Sequence, residues 1–424
     1  NLIINKNAKI CIIGLGYVGL PLAVKLAKKG FQVYGFDNDH RKIKNLENNY
    51  IYVDTISSKD LKKVKNKKFI FGNIKRNFNS YDVFVVCVPT PLKKNKTPEM
   101  KYLLQSKQIL SKVDLKNKAI ILESTTYPGT TEELYIPLIN KQKLNLGKNV
   151  YLIYSPERID PGNKKFNVSN TPKIISGATK SCLKIAEEFY KNVTKTYSVS
   201  SLKTAEFTKL LENIYRSINI GFVNEMKIVS DKLKVDIYES IKAASTKPFG
   251  FVPFYPGPGL GGHCIPIDPF LLSWKAKKIR ASTKFIELSG NINNYMPSYV
   301  INKFKKLFNS NKKTIKNSKI LVLGVSYKKD SADTRETPSI KIINLLKNLG
   351  CNVDVSDKYC SNNYLRKHKL KNIIINYRNI KKYDCVFIVT DHSYFNFKMI
   401  EKFSKFIVDC RGKIKTVTTK KVRA

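Results

Sequence analysis

The sequence predicts an α/β protein built as an N-terminal parallel-sheet domain, a long central helix with a helical region around it, and a smaller C-terminal α/β domain. Three observations predict it. Short apolar runs alternate with lysine-rich helical patterns in both halves of the chain. The first run ends in Gly14-Leu-Gly16-Tyr17-Val18-Gly19. The stretch from about Ser201 to Leu233 holds a helical pattern without a break. At 424 residues the chain exceeds what one core supports, and the boundaries are placed at 1–200, 201–308 and 309–424.

Lys9 to Ile13 reads as a strand, Leu20 to Lys29 as a helix and Phe31 to Phe36 as a second strand closed by Asp37. Strand, glycine turn, helix, strand and acidic residue in that order form the dinucleotide fingerprint of a Rossmann domain. Gly14 makes the tight turn, Gly16 lets the backbone meet a pyrophosphate at the helix N-terminus, and Gly19 lets helix and strand touch. Asp37 is expected to accept hydrogen bonds from an adenine ribose, which favours NAD over NADP. Arg41 stands where it could instead meet a 2′-phosphate.

Further strands are expected at Val83–Val88, Ala119–Glu123 and Val150–Tyr154, ending in Pro89-Thr90-Pro91, Ser124-Thr125-Thr126 and Ser155-Pro-Glu157-Arg158. Ligands of open α/β sheets bind outside the carboxyl ends of the strands. Thr90, Thr125 and Glu157 are therefore expected to face the cofactor crevice; ordinary strand-end turns are the alternative. In the central helix Phe207, Leu210, Leu211, Ile214, Ile218 and Phe222 mark an expected buried face. Lys209, Asn213 and Arg216 share one stripe, which in most helices is simply the solvated side. A helix of this length between two α/β segments could also connect domains and dimerise.

Helical segments are predicted at Ile237–Ala244 and from Pro269 to Asn291. Between them lies Tyr255-Pro-Gly-Pro-Gly-Leu-Gly261-Gly-His-Cys264-Ile-Pro-Ile-Asp268-Pro269. Four glycines and four prolines exclude a regular element there, so the backbone follows one specified path. A thiol in such a loop suits covalent catalysis on a carbonyl, although a buried cysteine would fit a structural loop as well. After a polar linker near 309–318, a second sheet is predicted from Lys319–Gly324, Val353–Ser356, Cys385–Thr390 and Phe406–Asp409. Val325-Ser-Tyr-Lys328-Lys-Asp330 replaces the glycine fingerprint, so this half binds something else. Lys328, Arg335 and Arg411 are its candidate phosphate contacts.

The 77 Lys and Arg against 32 Asp and Glu give a net charge of +45, which raises nucleic-acid or membrane-surface binding as a rival function. The lysines are spread along the whole chain, so no specific nucleic-acid site is expected, and an anionic small substrate suits such a protein equally. No apolar run approaches the ~18 residues needed to span a bilayer. Eight scattered cysteines without a Cys-x-x-Cys pair, beside four histidines, indicate neither zinc nor a disulfide framework; a reducing cytoplasm is the expected location. The chain opens on Asn1 rather than Met and without a secretory leader pattern, which leaves room for residues upstream.

Gly14 to Gly19, Ser124-Thr125, Ser155-Pro-Glu157, Lys209 with Asn213, Gly259 to Asp268 and Lys328 to Arg335 together resemble the nucleotide-sugar 6-dehydrogenases of the UDP-glucose/GDP-mannose dehydrogenase family in order and spacing. The resemblance covers almost the whole chain. It implies oxidation of a primary alcohol at C6 of a UDP-sugar to a carboxylate, with two NAD molecules taking hydride in turn. It also implies Cys264 as nucleophile, Lys209 and Asn213 as stabilisers of alkoxide and oxyanion, Asp268 and Thr125 as holders of a water, and Glu157 in thioester hydrolysis. Tyr17, Val18, Thr90 and Arg335 join the cofactor side. Glu157, Arg158, Lys209, Asn213, Tyr255, Gly261, Lys328 and Arg411 join the substrate side. A homodimer through the central helices is implied too.

Two departures bear on the sugar. Ile267 stands where UDP-glucose enzymes commonly carry lysine, and Lys247-Pro-Phe-Gly-Phe251 lacks the arginine that a neighbouring subunit usually brings to the sugar. Lys247-Pro-Phe, Tyr255-Pro-Gly-Pro, His263-Cys-Ile-Pro-Ile-Asp268 and Glu157-Arg-Ile-Asp-Pro161 look most like the branch acting on UDP-N-acetylglucosamine. UDP-glucose, UDP-N-acetylmannosamine and UDP-N-acetylgalactosamine are the alternatives.

Overall fold

Val83–Val86 and Lys118–Leu122 are buried at every position, the pattern of strands covered on both faces. In a computed structural model that describes residues 1–53, 55–73, 77–93, 95–159 and 170–424, they lie inside an eight-stranded sheet. Its strands are β1 (Lys9–Ile13), β2 (Gln32–Phe36), β3 (Phe69–Gly72), β4 (Val83–Val86), β5 (Lys118–Leu122), β6 (Val150–Tyr154), β7 (Lys173–Gly177) and β8 (Thr196–Ser198). The order is β3-β2-β1-β4-β5-β6-β7-β8. All pairs are parallel except β6 with β7. The order reverses between β1 and β4, the switch point at which doubly wound sheets bind ligands.

The chain divides into two compact units, Asn1–Glu212 with Trp274–Ala281, and Asn213–Ser273 with Ser282–Ala424. In the first unit, one core packs Leu20, Leu26 and Phe189 against Ile10, Val85 and Ile121. The other face packs Leu103, Tyr135 and Leu138 against Phe84, Ile120 and Leu152, and is joined by Leu202 and Ala205.

The helix Leu202–Leu233 runs 32 residues, about 48 Å at 1.5 Å per residue, and the division between units falls within it. Glu206 ties its start to the helix Thr130–Lys141: the buried carboxylate accepts from Gly129 N at 2.5 Å, Thr131 N at 2.8 Å and Thr131 Oγ1 at 2.6 Å, satisfying N–H groups that a helix start leaves unpaired. The expected buried face of the long helix is corrected. Leu210 and Ile214 are buried, but Phe207, Leu211 and Phe222 are 44%, 53% and 56% exposed. The inward row is partly polar, with Ser217, Asn224 and Lys227 buried, so the apolar residues divide between two sides of the helix.

The second unit holds β9 (Lys319–Leu323), β10 (Asn352–Ser356), β11 (Cys385–Ile388), β12 (Ile407–Asp409) and β13 (Lys421–Arg423), all parallel in the order β10-β9-β11-β12-β13. Val322, Phe387 and Val408 face Phe304 and Ile342 on one side, while Leu321, Ile388 and Ile407 face Phe395 and Ile400 on the other. The continuous helix expected over 269–291 is two helices, Asp268–Lys278 and Lys284–Ser310. Arg280 takes φ +58 and Ala281 N returns to Ala276 O at 2.9 Å. That left-handed cap ends the first helix without the glycine that usually signals it. The second helix runs on through Ser310, into the expected linker. Strands β3, β7, β8 and β13 were not legible as strands in the sequence.

Candidate active site

Each glycine of the first turn has a measurable reason. A Cβ on Gly19 would lie 1.9 Å from Gly14 O, so only glycine lets the helix start against the turn. Gly14 has φ +100, and around Gly16 a Cβ would meet nothing within 4 Å. That open side is where a pyrophosphate fits, beside the N-terminus of Gly19–Lys28. Tyr17 and Val18 pack half-buried against the core beneath. Asp37 follows β2 and is 8% exposed. Its Oδ2 accepts from Leu15 N and from Lys42 Nζ, both at 2.8 Å, and its Oδ1 from Asp39 N at 2.9 Å. The carboxylate thus braces the glycine turn itself, a task the sequence did not reveal. Arg41 is exposed but forked onto Asp39 through Nε and Nη2, each at 3.1 Å. The residues present fit a dinucleotide.

At the carboxyl ends of the central strands, Thr90 Oγ1 donates to Thr125 O at 2.6 Å and Ser124 Oγ to Val88 O at 2.7 Å. These bonds hold the turns after β4 and β5 together. Glu157 follows β6. Its Oε1 accepts from Arg158 N at 2.7 Å and Ile159 N at 2.9 Å, and its Oε2 lies 3.1 Å from Lys173 Nζ. Burial works against its charge, but Lys173 and the two N–H groups leave Glu157 below the usual carboxylate range. Asp160 and Pro161 of the same motif lie outside the described residues. Arg158 reaches the long helix, with Nη2 2.5 Å from Glu212 Oε1 and Nη1 donating to Pro172 O at 2.8 Å. On that helix Lys209 is 7% exposed, which removes it from the solvated-face reading; Arg216 is exposed.

In the second unit Cys264 is the exposed cysteine, whereas the other seven cysteines of the chain are buried. Its carbonyl accepts from Ile267 N at 3.0 Å and Asp268 N at 2.8 Å, which sets the thiol-bearing residue at the entrance of the helix Asp268–Lys278. Asp268 is 3% exposed and accepts from Asn213 Nδ2 at 2.5 Å.

The glycine loop is shaped by residues far along the chain. A Cβ on Gly261 would meet Tyr327 Cβ at 2.4 Å, so the loop lies on Tyr327 as close as glycine permits. Gly262 N donates to Arg335 O at 2.9 Å, and a Cβ on Gly257 would come within 2.9 Å of Arg411 Nη1. Arg335 forks onto Asp333, with Nε at 2.9 Å from Oδ1 and Nη2 at 2.5 Å from Oδ2. Arg411 Nε donates to Val389 O at 2.8 Å. Burial first, and the Arg335 guanidinium second, hold His263 below its usual pKa. Lys328 is half-buried beside Tyr327. Tyr255 is exposed and stacks on Tyr238 with centroids 6.4 Å apart.

Sequence reasoning missed the supports of this loop. Gly257 N donates to Asn224 Oδ1 at 2.9 Å, Asn224 Nδ2 to Asn293 Oδ1 at 2.9 Å, and Asn293 Nδ2 to Ser217 O at 3.1 Å. Nothing in the local sequence marks Asn224 among the chain's other asparagines. Lys173 was missed as well, because the run Lys-Ile-Ile-Ser-Gly that it opens was not legible as a strand.

Three family models of the UDP-glucose/GDP-mannose dehydrogenase family match the chain: the NAD binding domain at residues 8–194, the central domain at 203–295 and the UDP binding domain at 321–416. The UDP-N-acetyl-D-glucosamine 6-dehydrogenase of Pseudomonas aeruginosa is 34% identical over 359 residues, 84% of either chain. The UDP-N-acetyl-D-mannosamine dehydrogenase of Methanococcus vannielii is 35% identical over 412 residues, 94% of this chain and 90% of that one. A solved UDP-D-ManNAc dehydrogenase from Pyrococcus horikoshii superposes with a TM-score of 0.87 at 30% identity, covering 96% of each chain. The open glycine turn and the three matched segments lead to one conclusion: the chain belongs to the UDP-glucose/GDP-mannose dehydrogenase family and is an NAD-dependent UDP-sugar dehydrogenase.

Proposed function

We propose that the substrate is a UDP-N-acetylhexosamine, UDP-N-acetylglucosamine first, whose C6 hydroxyl is oxidised to a carboxylate in two steps. The observation that carries this reading is the exposed Cys264 in a loop whose next helical turn presents Asp268 to Asn213. NAD supplies the hydride acceptor when bound. Lys209 and Asn213 stabilise the alkoxide of the first step and the oxyanion of the second. The Cys264 thiolate bonds to the aldehyde carbon; the thiohemiacetal, on losing hydride, becomes a thioester. Water then attacks the acyl carbon, the carbon–sulfur bond breaks and the thiolate is regenerated. Asp268 and Thr125 hold that water and Glu157 accepts its proton.

On the same reading Lys328 and Arg411 contact the UDP phosphates, Arg335 lies nearer the cofactor, and Arg158, Tyr255 and Gly261 border the sugar. Residues 1–200, 201–308 and 309–424 are the NAD, central and UDP domains. UDP-N-acetylmannosamine is the second reading, favoured by the names of the Methanococcus and Pyrococcus relatives.

The protein works as a homodimer through the long helix, where Phe207, Leu211, Tyr215, Phe222, Val229 and Leu233 leave an apolar row exposed in the single chain. Eight scattered cysteines without a Cys-x-x-Cys pair suit a reducing cytoplasm. The test of substrate is NADH absorbance with NAD and each UDP-sugar in turn. UDP-N-acetylglucosamine should give the highest kcat/KM; turnover of none would end the enzymatic reading.

A further inference from the structure

Inside the first unit, three ionisable side chains meet where β5, β6 and β7 end or begin. Lys173 opens β7, is 4% exposed, and brings Nζ to 3.1 Å from Glu123 Oε2 and 3.1 Å from Glu157 Oε2. It also lies 5.3 Å above the Tyr190 ring. Glu123 is fully buried and accepts from Tyr190 Oη at 2.5 Å, whereas the Glu157 side chain keeps 17% exposure. One carboxylate would suffice to neutralise one buried lysine, and two lie at 3.1 Å from Lys173. A second carboxylate leaves the cluster with surplus negative charge, and the only one of the two with an accessible edge is Glu157.

We propose that Lys173 is a positioning residue for thioester hydrolysis, fixing the Glu157 carboxylate in its ionised form and in one orientation. This rests on the role given to Glu157 above. Lys173 takes Oε2 while the N–H groups of Arg158 and Ile159 take Oε1, so the carboxylate is gripped on both oxygens. The two N–H groups occupy both lone pairs of Oε1, while Oε2, with the single Lys173 contact, retains one to receive a proton from water.

The directions of titration agree. Burial raises Glu123, with Lys173 only partly offsetting it, while for Glu157 the lysine and the two N–H groups outweigh burial. Among the described residues, the other titratable groups around the cluster are Tyr190 from the helix Lys180–Tyr190, whose pKa burial and then Glu123 push up; Cys87 after β4, pushed up by burial and then Glu123; and Arg158, engaged by Glu212.

The test uses the full chain with NAD and the UDP-sugar that wild type turns over best. Lys173→Met alone would strand two buried carboxylates and fail to fold, so the informative variant is Lys173→Met with Glu123→Gln, which removes one charge of each sign. Its kcat should fall at least about tenfold with the sugar KM within about twofold. An acyl adduct on Cys264 should accumulate in intact-mass spectra, and the acid limb of the kcat profile should move to higher pH as Glu157 loses its cation. Glu123→Gln alone should stay near wild type, and Lys173→Arg should restore part of the rate. A double variant with wild-type kcat and pH profile would overturn the proposal. So would a lost rate with neither adduct nor moved acid limb, which would leave Lys173 a support of the fold. A wild type that forms no NADH with any UDP-sugar would instead remove the underlying reading, and this proposal with it.

Discussion

Asn213 donates its side-chain amide to the Asp268 carboxylate at 2.5 Å, joining the long helix to the first turn after the Cys264 loop. Replacing the amide tests the contact directly. Asn213→Asp would set two carboxylates at that distance, where like charges cannot both ionise, so one proton is taken up and shared. The expected result is a protonated-carboxyl band in the infrared difference spectrum at neutral pH and a kcat lower by about 10² or more. A spectrum without that band would mean that Asn213 and Asp268 are apart in solution.

Cofactor choice turns on two aspartates. Asp37 receives Leu15 N and Asp39 holds the Arg41 fork. Asp37→Ser should therefore narrow the NAD over NADP preference chiefly by weakening NAD. Asp39→Ala should narrow it by freeing Arg41 for a 2′-phosphate, by about tenfold in the ratio of kcat/KM values. Equal ratios for wild type and both variants would place the ribose elsewhere.

The parts of this site that were legible in sequence are those where the residue type alone dictates backbone path. Gly14 and Gly19, and the glycines around Cys264, have few other uses at such density. The parts that were not legible depend on distant pairing. Lys173 meets Glu123 from 50 residues away, and in a chain with 77 Lys and Arg it reads like any solvated lysine. Tyr327 shapes the Cys264 loop only because β9 delivers it there. The exposed Phe207, Leu211 and Phe222 show a further limit: periodicity reports that apolar residues share a helix, not whether the core or a second chain covers them.

The second sheet carries its own pH dependence. Asp357 follows β10; its Oδ2 accepts from Val325 N and Ser326 N, each at 2.8 Å, and faces His392 Nε2 at 3.1 Å. Burial opposes its charge, but His392 and the two N–H groups win and hold it near pKa about 2, below its ordinary 3.8. A lowered folded-state pKa means stability that is complete above about 3.8 and lost as pH falls through about 2, an amount on the order of 2 kcal/mol. Asp357→Asn should remove that pH-dependent component. Chemical unfolding of both forms at pH 7 and pH 3 should show the wild type falling toward the variant; parallel curves would contradict the assignment.

The two-step chemistry is tested at Cys264. With its thiolate as covalent catalyst, the intact enzyme should form two NADH per UDP-sugar and release no free aldehyde, because the intermediate is captured where it arises. Cys264→Ala leaves the glycine turn and the Arg335 and Arg411 contacts unchanged. Its residual turnover should therefore stop near one NADH per sugar, or reverse, since oxidation of an alcohol to a free aldehyde is unfavourable. Cys264→Ser should trap an oxygen ester that hydrolyses slowly: an alkoxide leaves less readily than a thiolate, and a hydroxyl is the weaker nucleophile at neutral pH. Intact-mass spectra after mixing with NAD and substrate distinguish these outcomes. An alanine variant that still makes two NADH per sugar at close to the wild-type rate would take Cys264 out of the mechanism and leave oxidation of the aldehyde hydrate in its place.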